Sequence, residues 1–332
     1  MSKTKVIIPA AGVGTRLRPL TYTQPKALIP VAGKPIIGFI IDQLIDIGLT
    51  DFVFVVGYLG EKIQDYVTHA YPHINSVFVN QAERNGIAGA IWLTREHIND
   101  DDRTLIILGD TILDADMERI MAMPTSALGV KMVDDPRRFG VAEINADDTI
   151  IQLVEKPQFP KSNMALVGLY KVNETKMLFQ AVEHLITNNI RTRDEYQLTD
   201  ALMYMIDQGV EMKSFKINNW YDCGKKDILL ETNALLLKKN NNAGDYITST
   251  SILIPPVAIG KNCEIKNSII GPNVSIGDNT RVNHAVIRDS IIGSFTELTD
   301  VQLHDSIIGN DALIKGKSQC LSVGDDTQIE LE

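Results

Sequence analysis

Val6-Ile7-Ile8-Pro9-Ala10 runs directly into Ala11-Gly12-Val13-Gly14-Thr15-Arg16-Leu17-Arg18-Pro19-Leu20-Thr21, and this join decides how the rest of the chain is read. The first five residues are an uninterrupted apolar run of strand length. The segment behind them has two glycines, which let backbone N–H groups approach phosphate oxygens, and Arg16, which adds a forked cation. A dinucleotide fingerprint would need a third small residue where Leu17 stands, and a Walker A loop would need Gly-Lys-Ser/Thr, so the segment is neither. Gly-x-Gly after a strand is also what a plain tight turn looks like, so the surroundings must decide.

Working outward, Phe52–Val56, Val77–Val79 and Leu105–Leu108 read as further strands, and Pro35–Ile47, Glu61–His69 and Ile87–Ile98 carry helical spacing. That alternation is a βαβ succession and predicts an α/β fold with a mostly parallel sheet covered on both faces. From Ser126 to Val172 the pattern turns strand-rich, with Phe139–Glu143 and Ile151–Glu155 as strands that continue the sheet. Helices return between Asn173 and Asp207, and another spans Lys226–Lys239. Lys238–Gly244 is polar and reads as a linker. The expected division is a first domain over 1–240, a linker over 241–249 and a second domain over 250–332.

In the second domain Ser-Ile-Ile-Gly occurs at 268–271, 290–293 and 306–309, and Ile259/Ile265, Ile270/Ile276/Val282, Ile292/Leu298 and Ile308/Ile314 are spaced by six. A six-residue aliphatic period is what a parallel β-helix of hexapeptide repeats requires, because each flat side of a triangular coil turns one aliphatic residue inward. A β-sandwich with coincident spacing does not explain a tetrapeptide used three times.

The 332 residues include 44% hydrophobic and 22% charged, an ordinary globular balance for about two domains. A formal charge of -10 sets the overall field against nucleic acid and anionic membrane. Cys223, Cys263 and Cys320 show neither disulfide-framework nor zinc-ligand spacing, which suits a reducing cytoplasm. No signal-like start or long apolar stretch is present, so a cytoplasmic location without membrane contact is expected.

Gln24-Pro25-Lys26-Ala27-Leu28-Ile29-Pro30, close behind the glycine loop, resembles the signature of the sugar-1-phosphate nucleotidyltransferases. The resemblance continues through Gly109-Asp110, Phe139-Gly140-Val141, Glu155-Lys156-Pro157, Val167-Gly168, Glu195–Asp200 and Trp220–Lys225. Order and spacing are most similar to the long form of the glucose-1-phosphate thymidylyltransferases, and imply a Rossmann-like catalytic domain followed by a left-handed parallel β-helix.

Attack of one phosphate anion on another is obstructed by charge, so such a site works by positioning and neutralisation and needs no protein nucleophile. None stands out: His69, His73 and His97 read as exposed, and Asp114 and Asp116 as loop or helix-cap residues. Asp110 follows a buried strand at the carboxyl edge where open α/β sheets bind ligands. The resemblance implies that Asp110 and Asp222 hold Mg²⁺, and that Ala11, Gly12, Gly14, Thr15, Arg16, Gln81, Gly86 and Asp110 bind the nucleoside triphosphate. Arg16 and Lys26 are the implied catalytic cations, and Gly140, Glu155, Lys156, Val167 and Gly168 bind the sugar-1-phosphate. A carboxamide at Gln81 suits the O4/N3–H edge of thymine or uracil, which favours dTTP or UTP over GTP. Glucose-1-phosphate is the family's usual acceptor. Mannose-1-phosphate guanylyltransfer is the alternative. So are an added acetyltransferase using His284 or His304 and a non-catalytic subunit, although the chain keeps Arg16, Lys26, Asp110 and Asp222. Short β-helices have ends to cover, so a homo-oligomer is expected.

Overall fold

Residues 3–240 and 250–317 are described by the computed structural model of the chain. The chain divides into two compact units, one of Met1–Ile29 with Lys34–Leu229, the other of Pro30–Gly33 with Leu230–Glu332. The expected linker 241–249 lies outside the described residues, and Lys238 and Lys239 belong to the last helix, within the expected span Lys226–Lys239.

The order of elements in the first 240 residues is β1 (Thr4–Pro9), β2 (Pro30–Val31), β3 (Lys34–Pro35), α1 (Ile36–Ile45), β4 (Asp51–Val56), α2 (Gly60–Ala70), β5 (Asn75–Asn80), α3 (Ile87–Trp92), β6 (Arg103–Ile107), β7 (Thr111–Asp114) and α4 (Met117–Ala122). There follow β8 (Ser126–Met132), β9 (Gly140–Ile144), β10 (Ile150–Glu155), β11 (Met164–Val172), α5 (Thr175–Thr187), α6 (Leu198–Asp207), β12 (Met212–Lys216), β13 (Asn219–Asp222) and α7 (Lys226–Asn240).

The main sheet runs β10-β9-β11-β6-β1-β4-β5, with β8 and then β12 branching from β11. The part built from the first strands of the chain, β6-β1-β4-β5, is parallel as the βαβ pattern requires. Its continuation through the strand-rich insertion is antiparallel at β11–β6, β11–β8 and β10–β9. Val6, Ile7 and Ile8 are fully buried, which is why β1 reads as a continuous apolar run rather than an alternating one. The periodicity over Ile87–Ile98 does not survive as one helix. α3 ends at Trp92 and a short 3-10 turn, Arg95–His97, follows. Thr94 is fully buried between them and donates its hydroxyl to the Ile91 carbonyl at 2.7 Å, drawing off a helical acceptor.

The second unit stacks three four-stranded parallel ladders, those of the expected left-handed β-helix. Ile270, Ile276, Val282, Ile287, Ile292 and Leu298 form its buried interior. Coils are shorter than three full hexapeptides. Ile252 pairs with Ile269, 17 residues on, and Val286 with Gln302, 16 residues on, so one or two sides of each coil hold five residues. The corners are taken mostly by Asn and Asp at positive φ, including Asn262, Asn267, Asn273, Asn279, Asp289, Asp300, Asp305 and Asp311. These are the residues that enter that region at least cost after glycine. The three Ser-Ile-Ile-Gly segments are not equivalent: Ile269–Ile270 lies in one ladder, Ile291–Ile292 and Ile307–Ile308 in another.

Candidate active site

The loops leaving β1 and β6 are held side by side. Gly109 N–H donates to the Pro9 carbonyl at 3.0 Å and Ala10 N–H to that of Val55 at 2.7 Å. A Cβ at Gly109 would stand 2.9 Å from the Ala10 Cβ, so this closeness depends on glycine. Asp110, next in the chain, therefore faces the glycine loop across the sheet edge. Gly14 adopts φ +66° and accepts the Thr21 hydroxyl at 2.9 Å, folding the loop so tightly that a Cβ there would lie 3.0 Å from the Lys26 Cβ.

Lys26 opens the short turn Lys26–Leu28 after Pro25 and is only 7% exposed. Its Nζ lies 2.5 Å from Asp110 Oδ2 and 3.7 Å from Asp222 Oδ1. Asp222 reaches this place because β13 pairs antiparallel with β7, setting Asp222 opposite Thr111, and Cys223 N–H donates to the Asp110 carbonyl at 3.3 Å. Two carboxylates thus share one buried ammonium. A donor set of two carboxylates suits a divalent cation that completes its shell with substrate oxygens and water. Among the described residues no cluster of three or more His, Cys, Asp or Glu exists that would hold an ion by itself.

Two cavities meet here. The first, about 270 Å³, is lined by Ala11, Gly12, Lys26, Gln81, Gly86 and Asp110. The second, about 440 Å³, is lined by Arg16, Gly140, Glu155, Lys156, Val167, Gly168 and Asp222, and shares Ile87, Leu108 and Asp110 with the first. Of the residues expected from the sequence, only Gly14 and Thr15 line neither; they shape the turn that presents Arg16.

In the first cavity Gln81 is 9% exposed, and its Nε2 donates to the Gly86 carbonyl at 3.2 Å and to Asn85 Oδ1 at 3.3 Å. That holds the amide in one orientation, with its two N–H groups engaged by the loop and its oxygen as the acceptor it can offer. Gly86 has φ +105°, and a Cβ there would meet the Tyr196 carbonyl oxygen at 2.3 Å.

In the second cavity Glu155 accepts the Thr199 hydroxyl at 2.7 Å through one oxygen and meets Lys156 Nζ at 3.1 Å through the other. Lys156 is at φ +44°, its N–H on the Phe139 carbonyl, so the chain turns sharply after β10 and both side chains remain in the cavity. β11 loses register between Leu166 and Tyr170, which frees Val167 and Gly168 from regular pairing with β8. Burial, and next the Glu155 charge, push the Tyr170 hydroxyl pKa up, keeping it a neutral donor.

Sequence reasoning missed Arg137, Arg138, Arg193 and Gly224. The three arginines line the second cavity, and Arg193 Nη2 donates to the Lys156 carbonyl at 3.0 Å. The pair Arg137-Arg138 directly before Phe139-Gly140 was the available signal. At Gly224 a Cβ would lie 3.2 Å from both Arg16 Nη2 and Lys26 Nζ, so the glycine of Trp-x-Asp-x-Gly is what admits two cations beside Asp222. His69, His73 and His97 are exposed, and Asp116 caps α4 by accepting from Arg119 N–H at 3.0 Å. No described helix is long and apolar enough to cross a membrane.

The nucleotidyl transferase family matches residues 5–239, and the GlmU-like C-terminal hexapeptide family residues 238–292. A glucose-1-phosphate thymidylyltransferase from Streptomyces griseus is 33% identical over 325 residues, 95% of this chain and 88% of its own length. A bifunctional protein GlmU from Methanocaldococcus jannaschii is 39% identical over 236 residues, 71% of this chain but only 55% of that relative. Among solved structures, a UDP-glucose pyrophosphorylase complexed with UDP-glucose shares the fold with a TM-score of 0.62 at 24% identity, over 72% of this chain and 100% of that one.

Proposed function

The chain belongs to the sugar-1-phosphate nucleotidyltransferase family, and from that membership and the geometry of its site we propose that it transfers a nucleotidyl group from dTTP or UTP to a hexose-1-phosphate, glucose-1-phosphate foremost, releasing pyrophosphate. The observation that carries this reading is the meeting of two cavities at Asp110, one ending on Gln81 and Gly86, the other on Glu155. A base held at one end and a hexose at the other bring the two phosphates together beside the carboxylates and the buried ammonium.

In the proposed reaction an oxygen of the sugar phosphate attacks the α-phosphorus, a P–O bond to it forms, and the α–β bridging P–O bond breaks with its electron pair leaving on pyrophosphate. Lys26 and Arg16 neutralise the phosphates, which lowers the repulsion between attacking and attacked groups. Gln81 and Gly86 orient the base, and Glu155 with Thr199 orients sugar hydroxyls. Asp110 and Asp222 would hold Mg²⁺, which when bound supplies further charge neutralisation on phosphate oxygens.

Pyrophosphate release from five triphosphates crossed with glucose-1-phosphate, mannose-1-phosphate and N-acetylglucosamine-1-phosphate tests this. The reading expects dTTP or UTP with glucose-1-phosphate to lead; GTP with mannose-1-phosphate in the lead overturns it. Gln81→Ala should weaken the pyrimidine triphosphates by about 1–2 kcal/mol, the scale of a lost hydrogen bond with an unsatisfied partner, and leave the sugar-phosphate KM unchanged. An equal loss with every triphosphate would mean that Gln81 serves only the loop. The GlmU resemblance carries the second reading, an acetyltransferase, which acetyl-CoA consumption with glucosamine-1-phosphate decides. His284 and His304, its candidate bases, are both exposed.

A further inference from the structure

Asn233 of α7 is fully buried, and its side-chain carboxamide is bonded away from the helix. Its Oδ1 accepts the backbone N–H of Ala32 at 2.8 Å and the Ser275 hydroxyl at 2.7 Å, and its Nδ2 donates to the Asn273 carbonyl at 3.0 Å. Only the oxygen of the carboxamide can accept from an N–H, so the orientation follows from the bonds. Ser275 and Asn273 belong to a hexapeptide coil. Ala32 belongs to the turn that follows the Pro25–Pro30 signature, and that turn groups with the C-terminal unit rather than with the catalytic one.

The turn needs holding. Ala32 is at φ +47° and Gly33 at φ +81°. A residue with a Cβ persists in the left-handed region only where its surroundings over-determine it, and such strain is concentrated at functional sites. Ala32 stands six residues after Lys26 with little slack between them. Leu28 N–H donates to the Pro25 carbonyl at 2.9 Å, Ile29 N–H to that of Lys26 at 3.1 Å, and Ile29 and Val31 are buried.

We propose that Asn233 is a positioning residue for the transferase reaction. Together with Ser275 it holds the Ala32 turn, and through the short buried segment in between it sets where the Lys26 ammonium stands relative to Asp110 and Asp222. This gives the hexapeptide unit a part in shaping the active site, and it rests on the reading of Lys26 as a triphosphate-binding cation.

The test uses the full chain. Asn233→Leu removes all three hydrogen bonds at similar volume, Asn233→Asp keeps both acceptor bonds, and Ser275→Ala removes one bond from the coil side. Misplacement of a charge-neutralising group lowers turnover, so kcat should fall about tenfold or more in Asn233→Leu and about two- to fivefold in Ser275→Ala, with Asn233→Asp recovering most of the loss. The KM for sugar phosphate should stay within about twofold, since Glu155 and Lys156 are not tied to this turn. A lower melting temperature with unchanged kcat per folded molecule in Asn233→Leu and Ser275→Ala would reduce Asn233 to a structural role and overturn the proposal. If Asn233→Leu fails to fold, Ser275→Ala decides alone. Lys26→Ala is the control: wild-type turnover in it overturns the reading of Lys26 as well, whereas an inactive Lys26→Ala beside a normal Ser275→Ala overturns only the role of Asn233.

Discussion

Lys26, Asp110 and Asp222 form a charge cluster that is one positive charge short of neutral, with the ammonium at 2.5 Å from one carboxylate and 3.7 Å from the other. Replacing either carboxylate by its amide removes a charge without changing shape. Asp110→Asn and Asp222→Asn should therefore each lower kcat at least about a hundredfold, while circular dichroism and melting stay near wild type. Turnover within a few-fold of wild type in either variant would remove that residue from the machinery. Asp200, in the first turn of α6, is of a different kind. Its Oδ2 is buried without a hydrogen-bond partner, and burial first, then the Glu155 charge, raise its pKa against the opposing Thr192 hydrogen bond. A carboxyl whose pKa is raised on folding contributes most to stability below its unfolded value, and that contribution is lost as pH rises through the folded one. Asp200→Asn should accordingly melt higher than wild type at neutral pH, with the gap closing as acid protonates Asp200. A gap that does not depend on pH would refute this account. Residues of this scale were legible when they sat in a motif, as Asp110 and Lys26 do. Arg193 was not, because its place in the cavity depends on a chain segment approaching from elsewhere, and Gly224, though inside the Trp-x-Asp-x-Gly motif, gains its role only from the approach of Arg16 and Lys26.

Most strands and the longer helices were legible in the apolar pattern. β1, β4, α1 and α2 lie within one or two residues of expectation, because apolar periodicity reports burial directly. α3 shows the limit: a buried Thr94 at a helical position looks polar in sequence, and only the fold reveals the hydroxyl turned back onto Ile91. The interrupted pairing of β11 at Val167-Gly168 is likewise silent in sequence, since it is set by what β8 and β6 offer on either side. In the β-helix the period was plain but the side assignment was not, because every flat side makes the same demand for one inward aliphatic residue. Coil geometry is strict at the corners. Gly271 has φ +109° and a Cβ there would stand 1.9 Å from the Ile254 carbonyl oxygen, whereas Gly209, at φ +91°, has open space beside it. Gly209→Ala should cost about 1 kcal/mol of backbone strain, and Gly271→Ala clearly more, as read from urea midpoints. Equal costs would show that the coil yields at that corner.

For the whole molecule, every residue that lines the two cavities lies before Lys226, while the C-terminal unit includes Pro30–Gly33. A chain ending at Asn242 therefore keeps the cavities and loses Asn273 and Ser275. Its turnover should fall without vanishing, its melting temperature should drop, and light scattering should report a smaller assembly than the homo-oligomer we propose for the full chain. Unaltered size, melting and kinetics would show that the repeats neither assemble the enzyme nor support its turn.

The glycine loop after β1, the βαβ alternation, the aliphatic period of the C-terminal unit and the motif residues Lys26, Asp110, Glu155 and Lys156 are legible without the fold, because each is written in a short stretch whose local physics admits few structures. It took the tertiary structure to bring Asp222 beside Asp110 through β13 on β7, to set Arg137, Arg138 and Arg193 along the second cavity, and to gather Ala32, Asn273 and Ser275 on Asn233. Those are distances between residues tens to hundreds of positions apart. They are set by the pairing of strands and the burial of polar groups that must find partners, and no local pattern encodes which partner is found.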